Sequence, residues 1–193
     1  MDNTTTEFNG FPKMARWSRE IIISEKIDGT NASIFIGEDG EFLTGSRRRW
    51  ITPEADNYGF SRWAHENRDE LMKLGIGHHF GEWWGAGIQR RYGLDEKRFS
   101  LFNVSRWGDE RPACCHVVPV IYRGPMFSEA IEQALTTLDG NSLAAPGFTD
   151  PEGVVLFHVA AGIGFKKTLK KDEQPKGMVT ACNREGFCFD FQK

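Results

Sequence analysis

The heptapeptide EKIDGTN occupies residues 25–31 and joins two segments that have the composition of β-strands. It follows a β-branched run at 21–23 and precedes the largely apolar stretch at 32–36. Successive side chains of a strand point to opposite faces, so Lys26 and Asp28 can point into one cleft. The heptapeptide therefore predicts an amine and a carboxylate held together where two strands meet.

Lys26 is the candidate nucleophile of this cleft. A free lysine has a pKa of about 10.4 and is protonated at neutral pH. Burial, or a neighbouring cation such as a metal ion, lowers that pKa and frees the lone pair of the amine. The neighbouring Gly29 would let the backbone turn or approach a ligand closely. On this motif alone, a surface lysine before a D-G turn is the more common explanation.

Composition indicates a globular protein, with 39% hydrophobic and 26% charged residues. We expect residues 1–193 to form a single domain. The net charge of −3 excludes a generic nucleic-acid binder, so any polynucleotide must meet local basic patches. Candidate patches are Arg47–Arg49, Arg90-Arg91, Lys166-Lys167 and Lys170-Lys171.

Neither a signal peptide nor an apolar run long enough to span a bilayer is present in the sequence. We therefore expect a cytoplasmic protein that does not enter a membrane. The cysteines at positions 114, 115, 182 and 188 lack the C-x-x-C spacing of zinc sites, so free thiols are favoured over structural zinc.

Hydrophobic patterning predicts many strands and two helices. The helices are predicted over Phe60–Leu74 and over Ser128–Leu138, the second with Ser128 as its N-cap. This content, without regular alternation of strands and helices, predicts an α+β fold of antiparallel sheets flanked by helices. The predicted strands are Glu20–Ser24, Asn31–Ile36, Glu41–Gly45, His78–Trp84, Phe99–Val104, Val117–Tyr122, Gly153–Val159 and Gly164–Leu169, with a hairpin turn at 37–40.

Four further segments carry residues suited to chemistry, at 81–89, 99–104, 151–156 and 165–169. Each has a plain structural explanation when taken alone. Glu82 could be a rim carboxylate, Phe102 a core residue, and Lys166 with Lys167 a solvated sheet edge. Their joint order is more specific than any one of them.

That order is K-x-D-G-x-N, S-R, G-E-x-x-G-x-G-x-Q, E-G-V-V and then a lysine-bearing strand. It resembles the covalent nucleotidyltransferase superfamily of ATP-dependent DNA ligases, RNA ligases and mRNA capping enzymes. Within that superfamily it is most similar to the phage-type RNA ligases that seal nicks in duplex RNA. The resemblance runs from Phe11 to Lys171. It implies a nucleotidyltransferase (ATP-grasp-like) domain with the nucleotide cleft between its sheets.

The resemblance implies that Lys26 attacks the α-phosphate of ATP, forming a lysyl-AMP and releasing pyrophosphate. Lys166 would grip that phosphate, and Glu152 would position a divalent metal. The implied catalytic residues are thus Lys26, Lys166 and Glu152. The implied metal ligands are Asp28, Glu82 and Glu152.

The same resemblance implies a nucleotide site with distinct roles. Glu25 would contact the adenine edge, partly through its backbone, and Phe102 would stack on the adenine. Asn31 would contact the ribose or a phosphate, and Glu82 the ribose hydroxyls. Arg47 would touch the nucleotide and later the 5′-phosphate. The complete implied set is Glu25, Lys26, Ile27, Asn31, Arg47, Glu82, Phe102, Glu152 and Lys166.

Three departures from the family pattern are visible. Thr168 stands where the final motif usually has a second lysine, so either the loss is tolerated or Lys167 or Lys170 takes its place. Asn103 stands where many relatives have aspartate. Few residues follow Lys171, which leads us to expect neither an OB-fold nor a helical C-terminal domain.

The function implied is an ATP-dependent polynucleotide ligase, more for RNA than for DNA, that joins 3′-hydroxyl and 5′-phosphate ends. Its cofactors would be ATP and Mg²⁺ or Mn²⁺, and no obligate protein partner is evident. One alternative is a stand-alone adenylyltransferase with another acceptor, such as a protein, a small molecule or a capping-type 5′ end. A DNA ligase is a second. A non-enzymatic RNA-binding or nucleotide-sensing module is a third, although Lys26, Glu82 and Glu152 argue against it.

Overall fold

The computed structural model describes residues 10, 13–170 and 172. Ten strands and three α-helices with one 3-10 helix make up this part of the chain. In chain order they are β1 (Glu20–Lys26), β2 (Thr30–Ile36), β3 (Phe42–Ser46), β4 (Trp50–Ile51), α1 (Phe60–Glu66), α2 (Arg68–Leu71), the 3-10 helix (Met72–Leu74), β5 (Gly77–Gly85), β6 (Lys97–Leu101), β7 (Cys115–Val117), β8 (Val120–Pro125), α3 (Ala130–Leu138), β9 (Gly153–His158) and β10 (Ile163–Thr168).

The strands form two sheets. The four-stranded sheet has the order β10-β9-β1-β8, and the six-stranded sheet has the order β4-β3-β2-β5-β6-β7. All neighbours are antiparallel except β6 and β7. The predicted α+β fold with antiparallel sheets is therefore confirmed, with one parallel pair that the sequence did not predict.

Each sheet packs against helices through its own apolar cluster. One cluster joins the six-stranded sheet to α1 and α2, and a second joins the four-stranded sheet to α3. A third contains Ile27 and Val118, which lie where the chain crosses from one sheet to the other. These crossings place the end of β1 beside the start of β2, where the heptapeptide lies.

The predicted strand Val117–Tyr122 is wrong, because it is two strands in different sheets. β7 ends at Val117 and β8 begins at Val120. Pro119 lies between them and has no N–H to give to a ladder. Its carbonyl accepts the N–H of Glu25 at 2.9 Å, which ties this crossing to the end of β1.

The predicted helix Phe60–Leu74 is interrupted at Asn67. Asn67 leaves the helical region (φ −105°, ψ 19°), and its Nδ2 donates to the Trp63 carbonyl at 2.8 Å. An Asn side chain that bonds the backbone competes with the helical ladder, which explains the break. The upstream Asp56 caps α1 by accepting the N–H of Ser61 at 2.8 Å.

Two smaller expectations change in the structure, one short strand was not predicted, and one hairpin is confirmed. The second long helix begins at Ala130, so Ser128 is not its N-cap, and Glu129 occupies that position without a side-chain cap bond. The strand predicted over 99–104 ends at Leu101, and β4 was not predicted. The hairpin at 37–40 is confirmed by the antiparallel pairing of β2 with β3.

Within the described part of the chain, no helix is both long and apolar enough to cross a membrane. Cys114 and Cys115 are free thiols, whereas Cys182 and Cys188 lie outside the described residues. The expectation about further C-terminal domains also concerns residues outside that part.

Replacing Gly153 with alanine should unfold the protein at a clearly lower temperature. Gly153 has φ +150°, and a Cβ there would lie 2.2 Å from the Lys167 carbonyl oxygen. Strained backbone together with a backbone clash predicts a loss of at least about 2 kcal/mol of unfolding free energy. Thermal denaturation followed by circular dichroism measures it.

Gly164→Ala in the adjacent strand is the matched control. A Cβ there meets nothing closer than 3.8 Å, so we expect little change. Equal melting temperatures for Gly153→Ala and the wild type would contradict the role given to Gly153.

Candidate active site

The pairing of β1 with β9 brings Lys26 to Glu152. Lys26 is registered against Gly153, and Glu152 directly precedes that glycine. Lys26 Nζ donates to Glu152 Oε2 at 2.6 Å. The side chains are 22% and 5% exposed, so the pair is largely shielded from water. Such shielding strengthens the attraction between the two charges.

Strand register also decides which lysine of the final motif joins this site. Lys166 pairs with Val155 and Thr168 with Gly153, so both side chains lie on the sheet face that carries Lys26. Lys167 lies on the opposite face, where its Nζ donates to Glu132 of α3 at 2.6 Å. The alternation expected from the sequence is confirmed, and Lys167 does not replace the missing second lysine.

The carboxylate of Glu25 points away from the cleft into the interior. It accepts hydrogen bonds from Ser142 Oγ at 2.6 Å and from the backbone N–H groups of Leu143 and Ala144, both at 2.8 Å. Burial raises the pKa of Glu25, and these three bonds act in the opposite direction. The side chain thus holds the 142–144 loop. The Glu25 N–H donates to the Pro119 carbonyl at 2.9 Å, and the predicted contact of Glu25 with adenine stays a prediction.

Glu82 lies on β5 directly opposite Asn31 of β2. Its Oε1 accepts the Gly29 N–H at 3.0 Å, and its Oε2 accepts Asn31 Nδ2 at 3.5 Å. Burial raises the pKa of Glu82 to about 7, although the charge of Lys26 and the Gly29 bond both lower it. The charge of Glu152 raises it further, so the pKa of Glu82 responds to both members of the ion pair.

Gly29 is required by a close approach between the two strands. A Cβ at this position would lie 2.5 Å from the Trp83 carbonyl oxygen and 2.7 Å from Trp84 Cβ. No side chain larger than hydrogen fits without moving β5. Gly29 therefore lets the backbone of the heptapeptide reach the Glu82 carboxylate.

Asp28 begins a chain of ion pairs. Arg90 Nε donates to Asp28 Oδ2 at 3.0 Å, and Arg90 Nη1 donates to Asp150 Oδ2 at 2.6 Å. Lys170 Nζ donates to Asp150 Oδ1 at 2.7 Å. Arg90 therefore acts within the fold rather than as the free RNA contact that its sequence suggested. Of the two candidates to replace the second lysine, Lys170 is the one linked to the site.

Tyr92 belongs to no motif of the sequence, yet its hydroxyl accepts the Asp28 N–H at 2.8 Å. Burial raises the pKa of Tyr92, so its phenol stays neutral. Gln89, Arg91 and Tyr92 all have positive φ, which non-glycine residues rarely adopt. Such strain is typical of functional loops, but only the structure reveals it.

The remaining predicted site residues differ in exposure. Arg47 is exposed at the turn between β3 and β4. Phe102 follows β6, is 40% exposed, and continues the register that places it across from Phe80. Ile27 is buried in the third apolar cluster, so only its backbone is free to meet a ligand.

The predicted metal ligands do not form a ready-made metal centre. Among the residues that the structure describes, no three acidic, histidine or cysteine side chains converge closely enough to hold an ion. Asp28 binds Arg90, and Glu82 is engaged by the heptapeptide backbone. Glu152 is the predicted ligand nearest to the Lys26 amine.

Comparison with protein families decides the assignment. A model of the RNA ligase family matches residues 19–189. The chain belongs to the RNA ligase family. No curated protein matches it in sequence.

Solved structures show the same fold at low identity. The chain is 20% identical to a mutant apo RNA ligase R4a of Naegleria gruberi, with a TM-score of 0.59, and covers 78% of its own length and 50% of that chain. An AMP- and Mn-bound mutant of the Naegleria gruberi RNA ligase gives 20% identity, a TM-score of 0.61, and coverages of 78% and 49%. An ATP- and Mn-bound mutant of the Naegleria gruberi RNA ligase gives 19% identity and a TM-score of 0.60, and the match covers 77% of this chain and 48% of that chain. This RNA ligase family member thus spans about half the length of those ligases.

Removing the Glu25 carboxylate should loosen the 142–144 loop. Glu25→Ala leaves the Ser142 hydroxyl and two backbone N–H groups without their acceptor, and each buried unpaired donor costs about 1–3 kcal/mol. We expect a total loss of about 3 kcal/mol by chemical denaturation, and faster amide exchange at Leu143 and Ala144.

Glu20→Ala is the control, because Glu20 is exposed at the start of the same strand. Unchanged exchange at Leu143 and Ala144 in the Glu25 variant would show that the carboxylate does not hold the loop.

The raised pKa of Glu82 predicts a pH-dependent stability. At pH values between 4.5, the ordinary pKa of the group, and about 7, Glu82 is protonated in the folded protein but ionised in the unfolded chain. The stability that comes from protonated Glu82 is therefore fully present below pH 4.5 and is lost as the pH rises through about 7. Relative to Glu82→Gln, the wild type should lose at most about 3 kcal/mol between pH 4.5 and 8.

Denaturant unfolding of both proteins across this range measures the difference. Glu41→Gln, at an exposed position, should follow the wild-type curve. Parallel curves for the wild type and Glu82→Gln would contradict a raised pKa.

Proposed function

We propose that this chain is an ATP-dependent RNA ligase that works through a covalent AMP on Lys26. The observation that carries the proposal is the Lys26 amine, held 2.6 Å from Glu152 at the end of a central strand. Lys166 lies on the same sheet face as Lys26, and the charge of Lys26 lowers the pKa of Glu82 on the other sheet. An amine set among cations and acids suits nucleotidyl transfer, which requires positioning and charge neutralisation.

The similar Naegleria gruberi ligase supports the choice of substrates. It has been solved as a mutant with AMP and Mn, as a mutant with ATP and Mn, and with PPi. We propose ATP as the nucleotide of this chain, with Mg²⁺ or Mn²⁺ as the metal.

In the first step, the neutral amine of Lys26 attacks the α-phosphorus of ATP. The N–P bond forms as the bond from that phosphorus to the bridging oxygen breaks, and pyrophosphate leaves with the electron pair. Glu152 Oε2 lies within hydrogen-bonding reach of Nζ, so it can take the proton that the amine loses. Lys166 would offset the negative charge that develops on the phosphate oxygens.

The donors of the site fit a magnesium-like ion. Mg²⁺ prefers oxygen ligands, keeps several waters, and is usually bound through one or two carboxylates together with substrate phosphates. Glu152 can supply such an oxygen, and Asp28 or Glu82 could add a second. A cation bound there would favour the neutral form of the Lys26 amine by charge repulsion.

In the later steps, the AMP passes from Lys26 to an RNA 5′-phosphate, and a 3′-hydroxyl then attacks that phosphate and releases AMP. Arg47, which is exposed in the β3–β4 turn, is the proposed contact of the 5′-phosphate. Phe102 is the proposed stacking partner of adenine, and Asn31 and Glu82 are the proposed ribose contacts. We propose a cytoplasmic enzyme.

Self-adenylation tests the proposal. With α-labelled ATP and Mg²⁺, the wild type should become labelled, and Lys26→Ala should not, because the only proposed nucleophile is gone. Lys166→Ala should label at least about 100-fold more slowly, as expected for removal of a transition-state charge contact.

Lys167→Ala is the matched control, since Lys167 lies on the same strand but pairs with Glu132 on the other face. It should label like the wild type. Labelling of Lys26→Ala, or no labelling of the wild type with either metal, would overturn the proposal.

A further inference from the structure

A row of aromatic side chains crosses the exposed face of the six-stranded sheet. Its members are Trp50, Phe35, His78 and Phe80, here called the aromatic strip. Trp50 is 49% and Phe80 54% exposed. Ring centroids lie 6.2 Å apart for Phe35 and Trp50, 5.4 Å for Trp50 and His78, and 4.0 Å for His78 and Phe80. The strip is therefore a continuous π-surface open to solvent.

The strip lies on the sheet face that carries the active site. His78, Phe80 and Glu82 are two residues apart along β5, so their side chains lie on the same face of the sheet. Phe35 is registered against His78 and joins them. The Trp50 ring lies over Gly45, where an added Cβ would come within 3.2 Å of it. A strand bound along this face would run from the strip directly to Glu82.

A group of cations borders the strip. Arg47, Arg48 and Arg49 precede Trp50 in the β3–β4 turn and are exposed. Within the part of the chain that the structure describes, none of the three forms an ion pair with a carboxylate. Positive charge that is not neutralised inside the protein remains available to a polyanion.

We propose that the aromatic strip stacks the unpaired bases of an RNA strand next to the end being joined, while the adjacent arginines hold its phosphates. This inference rests on the proposed function and adds to it a substrate class, strands with unpaired nucleotides. Flat rings beside cations are the combination that binds single-stranded nucleic acids. In a duplex the bases already stack on each other, so their faces are hidden from the strip.

His78 suits this role as a neutral ring. Burial lowers its pKa below the ordinary 6.5, so at pH 7 it presents an uncharged aromatic face. No charged side chain interrupts the π-surface between Trp50 and Phe80 at that pH.

Fluorescence anisotropy without ATP tests the inference with the full 193-residue chain. The probes are a short labelled single-stranded RNA and a blunt RNA duplex of the same length. The wild type should bind the single strand more tightly. Trp50→Ala and Phe80→Ala should each weaken that binding by about 5- to 100-fold, as removal of a stacking ring does.

Two further variants separate stacking from other effects. Trp50→Phe keeps a flat ring and should retain most of the affinity, whereas Trp50→Leu keeps apolar area without a π-face and should lose it. Trp17→Ala removes an exposed tryptophan from the segment before β1 and should change nothing. Arg48→Ala should reduce the slope of log affinity against log salt by about one.

Self-adenylation of each variant is measured in parallel, because that step uses no RNA. Normal labelling with weakened single-strand binding supports the inference and shows that the variants fold. Wild-type affinity in both Trp50→Ala and Phe80→Ala would overturn it, as would tighter binding of the duplex. Failure of the wild type to label would instead overturn the proposed function and leave the binding result readable.

Discussion

The antiparallel pairing of β1 with β9 is the constraint on which the site depends. Register sets Lys26 against Gly153 and so brings Glu152 to the amine. Because side chains alternate along β1, the neighbouring Glu25 points the opposite way and anchors the 142–144 loop. A slip of one residue would exchange the two, placing an amine in the interior and a carboxylate in the cleft.

The electrostatics of the site follow from burying three carboxylates near one amine. A buried charge is costly unless it is paired or neutralised. Each acid meets this requirement differently. Glu152 pairs with Lys26, Asp28 pairs with Arg90, and the pKa of Glu82 rises to about 7. The site can therefore bury three carboxyl groups, available to a nucleotide or a metal, without placing several uncompensated negative charges together.

The six-stranded sheet combines part of the core, part of the candidate site and the proposed RNA-binding surface. One face packs on α1 and α2, while the other carries Glu82 at one end and the aromatic strip beyond it. Glycines at 29 and 45 allow this use of one face, since the first admits the backbone to Glu82 and the second makes room for the Trp50 ring. The proposed RNA strand would therefore follow one sheet face from the aromatic strip to Glu82.

Strand periodicity and motif order are local properties, so the sequence was sufficient to predict the α+β class, most strands and the residues of the nucleotidyltransferase motifs. It also predicted that Lys166 and Thr168 share a face, since alternation needs no tertiary information. It did not predict the break at Asn67 or the division at Pro119. At Asn67 a side-chain hydrogen bond to the backbone interrupts the helix, and at Pro119 the missing N–H ends the strand, although the hydrophobic pattern continues through both.

The pairing of charged side chains depends on long-range packing. Arg90 and Asp28 are far apart in sequence, as are Glu25 and Ser142, and no local pattern links them. Their partners were set by how the two sheets cross, because a long-range contact depends on packing and register rather than on residue type. For the same reason, the aromatic strip depends on the order β4-β3-β2-β5 in the sheet, which no local pattern predicts.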